Sequence, residues 1–261
     1  MERLRGLLAR KRRRRPVGLA LGGGAVLGAA HLGALRALEE EGVSIDMVAG
    51  TSIGAFVASL FAFGKTWSDI QQVVTDLNWL HISKVSLSQY GMLSNHRMSD
   101  TLQRIIGKVA FEDAHISLAV VATDISTGQK VILDSGDVAT AVMASTCIPG
   151  VFIPVNMNER MLVDGGIVEN VPISPLKEMG ARTVIAVNLS SSPGKPENIV
   201  GVLVNAFHYS MEHTTRFQVR EADILINLDL TGFNRVDTRQ VPQLIEMGYR
   251  QTREKLKRER W

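Results

Sequence analysis

A serine flanked by glycines two residues to either side, in the stretch Gly50-Thr51-Ser52-Ile53-Gly54, has the spacing that can turn a hydroxyl into a nucleophile. A serine hydroxyl is weak on its own. It needs exposure on a sharp turn, a base to take its proton, and donors for the oxyanion that forms when it attacks a carbonyl. A strand-to-helix turn provides the exposure, and Gly50 and Gly54 suit the positions that lie against neighbouring backbone. Ser52 would also open a helix, where free N–H groups favour developing negative charge. The chemistry this implies is acyl transfer through an acyl-serine.

The donors have a candidate upstream. Gly22-Gly23-Gly24 follows a strand-like run, and three glycines let backbone N–H groups approach a ligand closely. The rival reading is a dinucleotide loop, because Gly22-x-Gly24-x-x-x-Gly28 loosely fits that pattern and Asp46 lies 22 residues beyond Gly24. An acid that binds a ribose belongs at the end of the second strand, however, and Asp46 precedes that strand. The absence of a Gly-Lys-Ser/Thr run excludes a P-loop. For the base, His31 falls on the apolar side of the first helix, His81, His96 and His115 in a helical insertion, and His208 and His213 within a late helix. Asp164 is better placed, at a strand end and followed by Gly165 and Gly166. Partial desolvation would raise its pKa and its strength as a base. A Ser52-Asp164 dyad is therefore chemically sufficient, with His208 or His213 the next candidates.

The elements that must hold these residues read as strand, glycine loop, helix (Val17 to Leu21, then Gly22 to Gly28, then Ala29 to Gly42). A second strand at Ile45 to Ala49, the elbow, and a helix from Ser52 to about Gly64 complete a βαβα start, which predicts a largely parallel sheet with helices on its faces. Residues 65 to 115 read as mostly amphipathic helix, either core or a lid. Strands follow at Leu118 to Thr123, Lys130 to Leu133, Arg160 to Val163, Thr183 to Leu189 and Ile224 to Leu228. Helices are expected at Val138 to Ser145, just before Leu189's strand, at Val200 to Ala222, and from Pro242. With no internal repeat or low-complexity linker, the expected organisation is a tail over residues 1 to 15 and one domain over 16 to 261.

A chain of 261 residues, 45% hydrophobic and 21% charged, is an ordinary globular mix. The single Cys147 excludes an internal disulfide framework and gives no zinc-ligand spacing, so no metal is expected, and it suits a reducing, cytoplasmic compartment. The net charge of +3 is unevenly spread: residues 1 to 15 hold eight Arg or Lys against one Glu, and residues 250 to 261 hold six against two Glu, so the chain between is net acidic. Leu4, Leu7 and Leu8 would line one side of a short basic helix drawn to anionic headgroups, and the alternative is a solvated tail. Nucleic acid is not expected as a partner, because no DNA- or RNA-reading module accompanies the charge. Arg12 to Arg15 followed by an apolar stretch mimics a secretory signal, but four glycines spoil its helix and cleavage would remove the glycine loop. No apolar run elsewhere reaches a membrane-spanning length.

Four blocks together carry a family resemblance. They are Leu19-Ala-Leu-Gly-Gly-Gly, the elbow 26 residues after Gly24, Ala144-Ser-Thr-Cys-Ile-Pro-Gly-Val-Phe-Ile-Pro-Val155, and Asp164-Gly-Gly-Ile-Val-Glu-Asn-Val-Pro172. In order and spacing the stretch from about Val17 to Leu230 resembles bacterial patatin-like phospholipases. The resemblance implies a three-layer α/β/α fold with a mostly parallel central sheet. It implies a lipid acyl hydrolase with a dyad on Ser52 and Asp164, an oxyanion loop on Gly22, Gly23, Gly24 and Ala25, and no cofactor. The chain departs from the family at Leu27 and Met143, where a basic residue is common. A transacylase on the same dyad, or a catalytically idle membrane-binding protein with basic termini, are the alternatives.

Overall fold

The computed structural model describes residues 15–76, 84–88, 91–192 and 194–259; the first fourteen residues of the basic tail and His81 lie outside them. Strand β1 (Val17–Leu21) turns through a 3₁₀ segment at Ala25–Ala29 into helix α1 (Ala30–Glu40), and β2 (Met47–Thr51) turns at the elbow into α2 (Ile53–Ala62). Helix α3 (Trp67–Asp76), a hairpin of β3 (Lys84–Ser88) and β4 (Gly91–Ser94), and α4 (His96–Ile106) precede β5 (Ser117–Asp124) and β6 (Gln129–Leu133). Then come α5 (Val138–Ser145), a second hairpin of β7 (Val155–Met157) and β8 (Arg160–Asp164), α6 (Ile173–Glu178), β9 (Thr183–Ser190), α7 (Ile199–Gln218), β10 (Ile224–Asp229) and α8 (Val241–Glu259).

The main sheet runs β10-β9-β1-β2-β5-β8-β7, with β6 also paired to β5. Its first five strands are parallel, joined by helical crossovers, while β6, β8 and β7 enter antiparallel through hairpins. Residue alternation sorts the two faces. Leu19, Leu21, Val48, Val120, Ile185 and Val187 join one large core beneath α1, α2 and α8. Ala20, Ala49, Ala119 and Ala186 point the other way, to a smaller core closed by Ile173 and Leu176 of α6. Small side chains on that second face let a short helix cover it at close range, and the result is the expected three-layer α/β/α arrangement.

Two expectations need correction. The segment between residues 65 and 115 holds a hairpin between its helices, with backbone pairing of Lys84 with Ser94 and Val85 with Leu93, and Leu93 ties it to Val151 and Ile153 by backbone hydrogen bonds. Its described helices are core, with Ile70, Val74, Met98 and Leu102 buried, and His115 lies outside them, its N–H bonded to the Ala62 carbonyl. Strand β2 begins and ends two residues later than its apolar run suggested. Gly50 and Thr51 are therefore strand, registered with Leu21 and Val121, and the turn is compressed onto Ser52.

The C-terminal helix closes the fold against α1 at a glycine crossing. A side chain on Gly33 would come 2.0 Å from the Ile245 carbonyl oxygen, and one on Gly248 would come 2.1 Å from that of Ala30. With backbone as the obstacle, relief needs a shift of a whole helix, a class of change that costs roughly 1–3 kcal/mol. Gly33→Ala should lower the melting temperature by about 2–10 °C in calorimetry. An unchanged melting temperature would mean that the two helices separate freely.

Candidate active site

One edge of β5 acts as a ruler for the site. Over Ser117 to Val121 it pairs with β2, ending at Thr51 opposite Val121, and over Ala122 to Asp124 it pairs with β8, starting at Asp164 opposite Ala122. Because β6 occupies the other edge from Val120 to Asp124, β2 and β8 meet end to end on the same edge. Two neighbouring residues of one strand thus hold the residue before Ser52 and Asp164 itself.

Hydroxyls bridge that junction. The Ser145 Oγ, at the end of α5, donates to the Val121 carbonyl at 2.7 Å and accepts from the Ser52 N–H at 2.8 Å. Thr123 Oγ1 donates to the Asp164 carbonyl at 2.9 Å, and Thr51 Oγ1 to that of Glu169 at 2.8 Å. All four hydroxyl and carboxyl side chains (Thr51, Thr123, Ser145, Asp164) are buried, so each bond is made in a low-dielectric setting where misplacement is costly.

Ser52 adopts φ 55°, ψ −127°, a conformation that L residues rarely take. The surrounding contacts force it. A side chain on Gly50 would lie 2.4 Å from the Ala55 Cα, and one on Gly54 would lie 2.1 Å from the Leu21 carbonyl oxygen. Although Ser52 is the N-cap of α2, its hydroxyl makes no capping bond, so it is not spent on the helix.

Asp164 is 1% exposed. Its Oδ1 accepts the Gly166 N–H at 2.8 Å, and Oδ2 has no hydrogen-bond partner among the described residues. Burial pushes the carboxyl up to about 6, against the opposing pulls of the Ser52 hydroxyl and the Gly166 N–H. The hydroxyl is thus near enough to bias the carboxyl without completing a full hydrogen bond, a looseness common before substrate binds.

The glycine loop divides into two functions. The Gly22 N–H donates to the Val187 carbonyl at 3.1 Å, extending the β1–β9 pairing, and the Gly23 N–H donates to both oxygens of Asn170, at 3.1 Å to Oδ1 and 3.3 Å to the carbonyl. Those two are committed. The N–H groups of Gly24 and Ala25 have no acceptor among the described residues, and Ala25 is held at φ 53°. Gly23 lies against Ser52, since a side chain on it would come 3.2 Å from the Ser52 Cβ.

Sequence reasoning missed the anchors of this loop. His31 is fully buried, and its Nε2 donates to the Gly22 carbonyl at 2.8 Å. Burial lowers its pKa to about 4, so it is a neutral strut. Asn170 and Ser145 stood in quoted blocks with no role assigned, and nothing local distinguishes them. Leu27 and Met143 are both buried among apolar side chains. Burial raises the Cys147 thiol to about 12, so it is inert as a nucleophile.

Known proteins bear out the resemblance. A family model described as patatin-like phospholipase matches residues 19–177. An uncharacterized NTE family protein of Mycobacterium tuberculosis is 36% identical over 182 residues, which is 69% of this chain and 51% of that protein. Lysophospholipase NTE1 of Saccharomyces cerevisiae is 30% identical over 205 residues, 73% of this chain and 12% of that one. This chain therefore spans about half the length of its mycobacterial relative and far less of the yeast one. Among solved structures, VipD from Legionella pneumophila superposes with a TM-score of 0.56 at 18% identity, covering 94% of this chain and 67% of that one, a likeness of fold alone. With the elbow, the glycine loop and Asp164 inside the matched region, the chain belongs to the patatin-like phospholipase family.

A buried aspartate with a raised pKa burdens the fold. Below about pH 4 it is protonated in both states and costs nothing; between about 4 and 6 the native state binds the extra proton, so stability falls as pH rises, reaching a loss of ~3 kcal/mol above 6. Asp164→Asn removes the charge and keeps an acceptor for Gly166. Its melting temperature should exceed that of the wild type by several degrees at pH 8 and converge with it at pH 4. An offset that is the same at both pH values would contradict this assignment.

Proposed function

We propose that this chain is a serine acyl hydrolase acting on lipid esters, with Ser52 as nucleophile and Asp164 as its base. The observation that carries the reading is the end-to-end meeting of β2 and β8 on β5, with the strained, uncapped Ser52 beside a buried carboxyl. Above pH 6 the Asp164 carboxylate takes the Ser52 proton as Oγ attacks the ester carbonyl. The tetrahedral oxyanion then takes hydrogen bonds from the N–H groups of Gly24 and Ala25, while Gly22 and Gly23 hold the loop. Collapse expels the alcohol with the proton from Asp164 and leaves an acyl-serine. Water, deprotonated by Asp164, attacks that ester, and the Oγ–acyl bond breaks as Asp164 returns the proton to Ser52 Oγ and the free acid departs. The names of the matched family and of the yeast relative, phospholipase and lysophospholipase, support a lipid as the substrate class.

Contact with a lipid surface fits the same reading. Helix α7 turns its inner face toward the dyad, for a side chain on Gly166 would meet Met211 at 2.7 Å and Phe207 at 3.3 Å. Its outer face exposes Ile199, Val202, Leu203, Tyr209 and Phe217. Basic side chains at both termini would add attraction to anionic headgroups. No helix among the described residues is long and apolar enough to cross a membrane.

A fluorophosphonate should label the wild type and fail to label Ser52→Ala, read by intact mass. Asp164→Asn should lose at least about 10³-fold in ester turnover while remaining folded. Free acid released without any added alcohol acceptor identifies hydrolysis, and its absence with acyl transfer to an added alcohol would make the enzyme a transacylase. Persistent labelling of Ser52→Ala would remove Ser52 as nucleophile.

A further inference from the structure

The donors assigned to the oxyanion lie between two clamps. On the near side the Gly23 N–H is held by Asn170, at 3.1 Å to Oδ1 and 3.3 Å to the carbonyl. On the far side the Val26 N–H donates to the Arg235 carbonyl at 3.0 Å. Gly24 and Ala25, whose N–H groups have no acceptor among the described residues, lie between. Ala25 sits at φ 53°, in the left-handed region where a side chain is costly, so the loop keeps this shape only while both sides are held. Relaxation of Ala25 to the right-handed region would swing the peptides on either side of it and re-aim its N–H. Packing sets the loop's depth: a side chain on Gly24 would meet Leu189 at 2.7 Å, and one on Gly28 would meet Ile53, the first residue of α2, at 2.5 Å.

An acceptor fixes a loop only if it is itself fixed. Arg235 belongs to the connection between β10 and α8, where its neighbours Asn234 and Val236 are exposed. A carbonyl on such a surface segment is a poor anchor by default, and its own side chain makes the difference. The Arg235 guanidinium turns inward, donating to Ser191 Oγ at 2.7 Å and lying 3.4 Å from His208 Nε2. Ser191, just past β9, and His208, on α7, are both buried. Burial, with the Arg235 charge beside it, lowers the His208 ring to about 4, so it is neutral and Nε2 can accept from the guanidinium. Burial brings Arg235 itself down to about 10, which leaves it charged at neutral pH. A charge-assisted bond to a buried hydroxyl is among the stronger anchors a loop can have.

We infer that Arg235 is a positioning residue for the oxyanion loop: its side chain fixes its own carbonyl, that carbonyl fixes Val26, and Val26 holds the Gly24 and Ala25 N–H groups on the place where the oxyanion forms. The inference rests on the acyl hydrolase reading for its link to Ser52. Arg235 acts through the main chain and touches no substrate. An interaction that matters as charge develops on the carbonyl oxygen moves kcat and leaves KM in place. Glutamine is too short to reach both anchors, whereas lysine keeps the charge and much of the length.

Steady-state kinetics on a single ester, with inhibitors that do and do not form an oxyanion, test this. Arg235→Gln should lower kcat by about tenfold or more with KM within about twofold of the wild type, and Arg235→Lys should recover part of the loss. A trifluoromethyl ketone bearing the substrate's acyl chain takes the Ser52 Oγ at its carbonyl carbon and leaves a tetrahedral oxyanion. Its affinity for Arg235→Gln should fall by the same factor as kcat/KM, while the corresponding secondary alcohol, which forms no adduct, should bind both proteins equally. A rise in KM with kcat unchanged, or equal losses of affinity for ketone and alcohol, would overturn the inference and place Arg235 in ground-state binding. Should Arg235→Gln not fold, Ser191→Ala removes the shorter anchor and should give the same signature at smaller size; wild-type kcat and ketone affinity in that variant would overturn the inference too. Amide hydrogen exchange supplies an arm free of catalysis: the Val26 N–H should exchange at least about tenfold faster in Arg235→Gln, and the Gly22 N–H should not. If the wild type turns over no ester, the acyl hydrolase reading fails, and Val26 exchange still decides whether Arg235 clamps the loop, with unchanged exchange refuting it.

Discussion

Everything at the candidate site depends on one break in strand pairing. Strand β5 keeps the same edge hydrogen-bonded from Ser117 to Asp124, but it changes partner between Val121 and Ala122. Parallel β2 arrives from below and antiparallel β8 from above, so two chain segments more than a hundred residues apart end within one residue spacing of each other. The break would leave a main-chain group poorly served, and Ser145 fills it by linking the Val121 carbonyl to the Ser52 N–H. The same constraint strains Ser52 and buries Asp164. Strain and desolvation are both costs to stability, held in place by the cores on either side of the sheet.

From that break the rest follows outward. Gly54 must lack a side chain to pass the Leu21 carbonyl, so the elbow and β1 fit only as a unit. The loop after β1 is then tied down by His31 at Gly22 and by Asn170 at Gly23, which leaves Gly24 and Ala25 with donors to spare. Asn170 sits six residues beyond Asp164, on a segment clamped by Glu169, whose carboxylate takes the Ser174 N–H and hydroxyl and pairs with Lys130 at 2.9 Å. Asp164 and the loop anchor therefore sit on one clamped segment.

Local patterns made much of this legible in the sequence. Glycine spacing marked the elbow and the loop, because close backbone approach leaves a trace in residue type, and a strand ending in Asp-Gly-Gly pointed to Asp164. Helix α5 was read to the residue, Val138 to Ser145. Contacts made across long sequence distances left no such trace. Ser145 looks like any helix-end serine until β5 is seen to change partners. Gly22 and Gly23 look equivalent to Gly24 until Val187 and Asn170 claim their N–H groups. The β3–β4 and β7–β8 hairpins are built from short strands, each paired with its sequence neighbour, and runs of three to five residues carry too little alternation for propensity alone to reveal β3, β4 and β7. Arg235, in the loop between β10 and α8, is the extreme case, since its neighbours Ser191, His208 and Val26 come from just past β9, from α7 and from the glycine loop.

The most direct test of the account is the pH dependence of Ser52 phosphonylation, compared between the wild type and Asp164→Asn. If Asp164 is the base, the second-order labelling rate of the wild type rises with pH through an apparent pKa of about 6 and then levels, while Asp164→Asn labels far more slowly and lacks that titration. Labelling of Asp164→Asn at the wild-type rate, with the same titration, would show that another group activates Ser52 and that the meeting of β2 and β8 on β5 does not define the catalytic pair.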